Sequence, residues 1–218
     1  MNYKYFSQVY TDEMAFTREK LQFFFDQSFK NRDENRLRSQ YKNLRQLDFE
    51  CEFDFDPENV DISSLCENIT SAFDVFASQN GKNYIYCGNP TGCICGNYRL
   101  IAKTFLNLLS NAYLYGKGSL VTAKTIENLN FVKIEVQNEG PFPLGTPDGK
   151  GLTYVRRVCN KLNGNFLIES NYAYSKAILC FKKSDFQGAS HNNKYDFINL
   201  LTDRLSPVYV ELFGMEYH

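Results

Sequence analysis

Residues 107–115 read NLLSNAYLY. They lie in a run of apolar residues at helical spacing. Asn107 and Asn111 are four residues apart, so both side chains project from one side of the helix, with Tyr115 one turn further on. Amide oxygens stacked in this way can bind a hydrated magnesium ion. The spacing alone favours a simpler alternative, a pair of exposed or capping asparagines, so the neighbouring motifs must decide between the two.

Two glycine-containing segments follow along the chain. Residues 136–141, VQNEGP, stand at the end of a predicted strand, and residues 149–152, GKGL, open a predicted helix. Glycines at a helix start let backbone amides approach phosphate oxygens, and the helix dipole favours the phosphate charge. A single Gly-x-Gly is most often a turn. Its position downstream of the other two motifs is what indicates a nucleotide site.

In this order the motifs resemble those of the catalytic ATP-binding domain of sensor histidine kinases, within the gyrase, Hsp90, histidine kinase and MutL superfamily. The stretch NLLSNAYLY resembles the asparagine box, and VQNEGP resembles the first glycine box. The stretch GKGLTYVRRVCNKLNGNFLIES resembles the second glycine box and the strand after it. The resemblance covers residues 58–183, and it implies that ATP or ADP binds with Mg²⁺.

The resemblance also assigns roles to individual residues. It implies that Asn111 is the main magnesium ligand and that Asn107 helps to organise the metal and the phosphates. Tyr115 would pack near the adenine and the sugar. Asn138 stands where the family has an aspartate that accepts a hydrogen bond from the adenine amino group, and an amide oxygen accepts that bond without charge assistance. Three glycines would shape the backbone around the ligand: Gly140, Gly149 and Gly151.

Several positions depart from the family pattern. Leu114 replaces a basic residue, so one phosphate contact is lost, and Phe142 replaces a glycine, so the pocket narrows. Only eight residues, PFPLGTPD, separate Gly140 from Gly149, where the family has a long mobile lid. A segment this short, with three prolines, cannot close over a triphosphate. Lys150 or Lys117 could partly replace the lost cation, although each is expected to be a solvated lysine.

The phosphoacceptor of the family is a histidine on a helix before the ATP-binding domain. The two histidines of this sequence, His191 and His218, both follow that domain, and an exposed surface imidazole is the expected reading of each. A histidine upstream of this sequence remains an open alternative. Chaperone or topoisomerase-like ATPases need an acidic general base, and Asn107 stands where those relatives have a glutamate. This third class of function is therefore disfavoured.

The patterns around the motifs predict a two-layer α/β sandwich in which helices cover one face of a mixed sheet. Residues 62–76 and 101–115 form amphipathic helices, capped by Asp61 and Asn97. Strands are predicted at about 83–87, 119–127, 131–138, 165–170 and 175–182, with a further helix over residues 152–162. Asn128 to Asn130 would form a hairpin turn, and Asn163-Gly164 would end the last helix in a left-handed cap.

The sequence divides into three parts. Residues 1–57 show apolar residues at helical spacing and predict a helical hairpin that forms a homodimer. Residues 58–183 form the histidine-kinase-like domain. Residues 184–218 are a C-terminal extension, with a short helix expected before Pro207 and an apolar patch after it. The extension either packs against the domain or docks a partner.

Composition excludes several function classes. The formal charge of −1 argues against a nucleic-acid partner, and no apolar run reaches the length of a membrane span. Seven cysteines, an odd number in apolar segments, favour buried, reduced thiols over disulfides and predict a cytoplasmic protein. A zinc site at Cys87, Cys93 and Cys95 is the less favoured alternative, since no histidine lies near and no paired C-x-x-C is present.

The sequence therefore favours a degenerate histidine-kinase-like protein that binds Mg-ATP or Mg-ADP weakly and signals to a protein partner, as an adaptor or pseudokinase. The alternative is an active two-component kinase module that phosphorylates a histidine on another chain or segment. The retained asparagine box fits both functions. The short lid, Leu114 and the missing acceptor favour the first.

Overall fold

The structure, a computed structural model, describes residues 57–78, 81–142 and 150–185, and in addition residues 200, 208 and 211. Its strands are β1 (Glu58–Asp61), β2 (Asn83–Tyr86), β3 (Cys93–Gly96), β4 (Leu120–Glu127), β5 (Phe131–Glu139), β6 (Asn165–Ser170) and β7 (Tyr174–Lys182). Its helices are α1 (Ile62–Ala77), between β1 and β2; α2 (Tyr98–Tyr115), between β3 and β4; and α3 (Lys150–Lys161), between β5 and β6.

Five strands form one mixed sheet in the order β2-β4-β5-β7-β6. β2 is parallel to β4, and the other neighbours are antiparallel. The register places Asn138 of β5 opposite Val121 of β4 and opposite Ser175 of β7. Paired residues in neighbouring strands point to the same face of a sheet, so Asn138 and Ser175 share a face.

That face is the one the helices cover. Along β5 the side chains of Val132, Ile134 and Val136, on the same face as Asn138, are buried, and α1 and α2 both contact this strand. The predicted apolar stripe of α1, from Ile62 to Phe76, is buried throughout. A second cluster, Leu100 with Tyr154, Val158 and Leu162, packs α3 against α2. The predicted two-layer sandwich is confirmed.

The predicted ends of the helices are confirmed in their local chemistry. The Asp61 carboxylate accepts a hydrogen bond from the Ser64 amide at 3.1 Å, and Asn97 accepts one from the Leu100 amide at 3.1 Å. Both therefore satisfy a free amide in the first helical turn. Asn163 has a φ of 52° and ends the turn after α3 in the left-handed region.

A small second sheet was not predicted from the sequence. β1 and β3 pair antiparallel, with Val60 opposite Ile94. Ile94 also forms a bridge to Lys183, and the Ser184 amide donates to the Cys93 carbonyl at 2.9 Å, so the chain after β7 joins this sheet. Neither β1 nor β3 is among the predicted strands, because both are short and each pairs with residues that are distant in the sequence.

The prediction of buried thiols was correct only in part. Cys66 and Cys159 are buried, whereas Cys87 and Cys95 are exposed and Cys93 and Cys180 are intermediate. Strand alternation explains the difference on β3, where Ile94 and Gly96 point inward and the two cysteines point away. Among the described residues, no group of three or more side chains of the His, Cys, Asp and Glu types could hold a metal ion.

The predicted N-terminal hairpin and its dimer interface lie outside the described residues. In the C-terminal extension, Leu200, Val208 and Glu211 are helical and buried. The Glu211 carboxylate accepts a hydrogen bond from the buried Ser110 hydroxyl of α2 at 2.7 Å. At this contact the extension packs against the domain. No helix within the described part of the chain is long and apolar enough to cross a membrane.

Candidate functional site

An open cleft lies over the carboxyl-terminal half of α2, between the end of β5, the start of β7 and the first turn of α3. Its empty volume is about 430 Å³, which includes solvent at its mouth. Most of its walls are apolar, and a small number of polar groups converge on it, as is usual for small-molecule sites. The lining residues on α2, β5 and the segment after β5 are Leu108, Asn111, Ala112, Tyr115, Val136, Asn138, Pro141 and Phe142. Those on α3, β6 and β7 are Leu152, Ile168, Ser175, Lys176 and Ala177.

Asn107 lies against the start of α3. Its amide nitrogen donates to the Lys103 carbonyl at 2.9 Å, which leaves the amide oxygen Oδ1 directed elsewhere. A Cβ atom added to Gly151 would stand 2.7 Å from that oxygen. A side chain at the second residue of α3 would therefore displace the Asn107 amide. The start of α3 and Asn107 lie side by side.

Asn111 lines the cleft one turn after Asn107. Its amide nitrogen is buried and has no hydrogen-bond partner among the described residues. A buried polar atom without a partner costs free energy on the order of 1–3 kcal/mol, so native proteins seldom keep one without a purpose. The amide can turn about its last torsion, so it presents to the cleft one polar group that a ligand or its hydration shell could satisfy.

Asn138 forms a neutral hydrogen-bonded pair with Ser175. The Ser175 hydroxyl donates to the Asn138 Oδ1 at 3.1 Å, and the Asn138 Nδ2 donates to the Glu139 carbonyl at 3.0 Å. The pair lies beside the end of α2, since a Cβ atom at Gly116 would come within 3.1 Å of the Asn138 Nδ2. It would also stand 2.4 Å from the Ala112 carbonyl oxygen. Asn138 therefore lies beside the carboxyl-terminal end of α2, whereas Gly151 lies against Asn107, earlier on the same helix.

Gly140 holds the turn that follows β5. Its φ is +90°, a conformation that residues with a side chain rarely adopt, and its amide donates to the Ala173 carbonyl at 2.9 Å. The Lys117 side chain lies directly over it, 3.0 Å from where a Cβ atom would be. Gly140 thus permits the turn that ends β5. Lys117 itself is exposed and does not line the cleft.

Tyr115 corrects one prediction. The sequence pattern placed it in the buried stripe of α2, but its side chain is 57% exposed at the mouth of the cleft. α2 ends at this residue, beyond the edge of the covering layer, so the helical period no longer implies burial there. Tyr115 still lines the cleft, together with Phe142, whose amide donates to the Ser170 hydroxyl at 2.7 Å.

Three further predicted positions can be placed. Leu114 is 43% exposed and does not line the cleft. The backbone of Lys150 begins α3, whereas its side chain and Gly149 lie outside what the structure describes. Lys176 lines the cleft, but its ammonium group lies 3.8 Å from a Glu135 carboxylate oxygen and 3.7 Å from one of Glu169. Lys176 stands opposite Gln137 in the register, so its side chain lies on the face of the sheet away from Asn138 and pairs with the carboxylates there.

Sequence reasoning missed Ser175 and Lys176. A signal for Ser175 was present in the alternation of β7, but it gains meaning only once the register with β5 is known. Lys176 carried no signal, because its place in the cleft follows from the tertiary structure. Both belong to the same end of the cleft as Asn138.

Comparison with solved structures identifies the fold. The histidine kinase AdeS of Acinetobacter baumannii matches with a TM-score of 0.56 and 18% identity, over 78% of this chain and 95% of that chain. The ATP binding domain of PrrB from Mycobacterium tuberculosis matches with a TM-score of 0.52 and 21% identity, over 60% and 100%. Full-length ShkA in complex with AMPPNP matches with a TM-score of 0.57 and 15% identity, over 83% and 47%.

No protein-family model matches the sequence, and no curated protein matches it. The structural matches nevertheless agree with one another in fold. At the level of the fold, the resemblance inferred from the sequence is confirmed.

Proposed function

Because the chain has the fold of histidine-kinase ATP-binding domains, we propose that it is a nucleotide-binding signalling protein that binds Mg-ADP or Mg-ATP weakly. The observation that carries this proposal is that Asn111 lines an open cleft, while Asn107, one turn earlier on α2, lies against Gly151 at the start of α3. The unpartnered amide nitrogen of Asn111 supports it, because a phosphate oxygen would accept its hydrogen bond, and a half-turn of the amide would present its oxygen to the ion.

The cleft and the residues beside it suit a nucleoside phosphate in three respects. The α3 start supplies backbone amides and the positive end of a helix dipole, which favour phosphate oxygens. Asn107 and Asn111 supply amide oxygens, which are ligands that Mg²⁺ accepts, and the metal would neutralise phosphate charge. The apolar walls formed by Ala112, Val136 and Ala177 suit a heteroaromatic base.

We also propose that the protein is degenerate as a kinase and acts through protein contacts. Lys176 is close to two carboxylates, and Leu114 replaces a cation with an exposed apolar side chain. The short segment between Gly140 and Gly149 cannot exclude water from a terminal phosphate, which weakens the case for phosphoryl transfer. An active two-component kinase module is the second candidate, favoured by the retained asparagine box.

Calorimetric titration with ADP, with and without magnesium, tests the binding proposal. We expect binding that requires magnesium and that is lost in Asn111→Ala, because the variant removes the amide aimed into the cleft. Asn160→Ala is the matched control, since Asn160 is an exposed asparagine on the far turn of α3. Binding that survives Asn111→Ala, or that is independent of magnesium, would remove the role proposed for this helix face.

Incubation with γ-labelled ATP separates the two candidate functions. The degenerate protein should show no label that is alkali-stable and acid-labile, the signature of phosphohistidine. Such label at useful stoichiometry, on this chain or on an added acceptor domain, would establish the kinase instead.

The proposed assembly rests on the sequence of the N-terminal residues. We propose a homodimer formed through residues 1–57, motivated by their aromatic helical stripe. A chain that starts near Asn59 should then sediment as a monomer, whereas the full chain should sediment as a dimer at micromolar concentration.

The free thiols of Cys66, Cys159 and the other described cysteines support a reducing, cytoplasmic compartment.

A further inference from the structure

The chemistry at the Asn138 end of the cleft concerns which base the site accepts. Asn138 and Ser175 are the polar side chains there that meet in a hydrogen bond, and apolar side chains of Ala112, Val136 and Ala177 surround them. Asn107, at the other end, meets the start of α3. From Asn107 to Ala112 the axis of α2 rises roughly 7.5 Å, at 1.5 Å per residue. A nucleotide with its phosphates at the helix start would have the apolar walls at this end of α2 for its base, and Asn138 lies among them.

Asn138 carries both a donor and an acceptor, and neither is used up. Its Oδ1 accepts one bond, from Ser175, and keeps a second lone pair. Its Nδ2 donates one hydrogen to the Glu139 carbonyl and keeps the other. A carboxylate at this position would offer acceptors alone. The neutral amide can therefore both donate a hydrogen bond to the edge of a base and accept one from it, whereas a carboxylate can only accept.

The two orientations of this amide differ little in their contacts. A half-turn about the last torsion would exchange Oδ1 and Nδ2. The Ser175 hydroxyl can then accept instead of donate, because a hydroxyl does both. Oδ1 would then face the Glu139 carbonyl oxygen, and two acceptors repel, so the exposed amide would tilt away and water would take the place of the lost bond. The loss of one such bond changes an equilibrium by about tenfold or less.

Resting on the proposed nucleotide function, we infer that the cleft accepts both 6-amino and 6-oxo purine nucleotides, and that the reversible amide of Asn138 is the reason. The adenine edge offers a donor at the 6-amino group and an acceptor at N1. The hypoxanthine edge offers an acceptor at the 6-oxo group and a donor at N1. Each edge is a donor–acceptor pair, and one of the two amide orientations is complementary to each.

The test is titration of the full chain with the magnesium salts of ADP and of inosine diphosphate, which differ at the 6-position of the base. The two dissociation constants should agree within about tenfold, the cost of the turned amide. In Asn138→Asp the carboxylate would oppose the 6-oxo group, so the preference for ADP should widen by at least about thirtyfold. Gln137→Glu makes the same change on the opposite face of β5 and should leave the ratio as it is.

A second variant guards against misfolding of Asn138→Asp. Asn138→Ala removes both amide atoms, so it should weaken both nucleotides and bring their affinities closer together. A native chain that prefers ADP by more than about tenfold, with binding still lost in Asn111→Ala, would overturn the inference and leave the nucleotide function intact. The inference also falls if Asn138 variants leave the ratio unchanged. If neither nucleotide binds, both the inference and the proposed function fall.

Discussion

Gly151 illustrates how a single residue serves the site at the expense of its helix. It is the second residue of α3, where alanine would favour the helix over glycine by up to about 1 kcal/mol. Glycine is needed because a Cβ atom would stand 2.7 Å from the Asn107 Oδ1. That atom is the end of a side chain, so the clash is relieved by moving the asparagine and not the backbone.

Gly151→Ala should therefore separate stability from binding. We expect a melting temperature that is unchanged or slightly raised, because helix propensity rises and the Asn107 side chain can move. Magnesium-dependent ADP binding should weaken by roughly tenfold or more, because the amide is displaced from the helix start. Thermal denaturation and calorimetry measure the two effects. A fall in melting temperature with undiminished affinity would contradict this account.

Among the elements, the loop between β2 and β3 is held by the end of β4. The Glu127 carboxylate accepts hydrogen bonds from the Lys183 ammonium group and from the Gly92 amide. These bonds, the Lys183 one foremost, hold the pKa of Glu127 below its usual value of 4.5. A carboxyl group whose pKa is lower in the folded state stabilises that state above its unfolded pKa, and the stabilisation is lost as the pH falls through the folded pKa.

The pH dependence of Glu127→Gln follows from this sign. At pH 7 the variant should melt below the native protein, because it lacks the charged partner of Lys183. As the pH falls below about 4.5 the difference should shrink, since the native carboxyl group becomes protonated as well. Melting curves at several pH values, compared with those of Glu67→Gln at an exposed position of α1, measure this. A difference that stays constant with pH would exclude the ionised bond as its source.

How far the elements can be predicted depends on how local their causes are. α1, α2 and the β4–β5 hairpin follow from periodicity and from caps such as Asp61 and Asn97, which act within a few residues. β1 and β3 have four residues each and pair across the chain, so neither carries a local signal. The site divides likewise, since Asn107 and Asn111 follow from helical spacing and Ser175 follows from strand register.

At the scale of the whole molecule, the C-terminal extension is tied to the helix that carries the site. Ser110 stands next to Asn111 on α2, and it donates to the buried Glu211 carboxylate. A buried hydrogen bond to a charged group is worth about 1.5–3 kcal/mol, more than most surface contacts. The extension should thus unfold together with the domain.

A double-mutant cycle with Ser110→Ala and Glu211→Gln measures this contact. Each single variant should lower the free energy of unfolding by about 1–3 kcal/mol, because each leaves a buried partner less satisfied. The double variant should lose less than the sum, with a coupling energy of at least about 0.5 kcal/mol. Denaturant titrations supply the three values. Strict additivity would mean that the two side chains do not interact in solution.

The hydrogen bond between Ser184, just after β7, and Asn59 of β1 can form only late in the synthesis of the chain. The Ser184 hydroxyl donates to the Asn59 Oδ1 at 2.7 Å, and these residues are 125 positions apart. A ribosome adds roughly 5–20 residues each second, so on the order of ten seconds separate the synthesis of the two partners. Until Ser184 leaves the exit tunnel, β1 and β3 lack their third neighbour. We expect a nascent chain arrested before Lys183 to stay sensitive to protease at β3, and the released chain to become resistant.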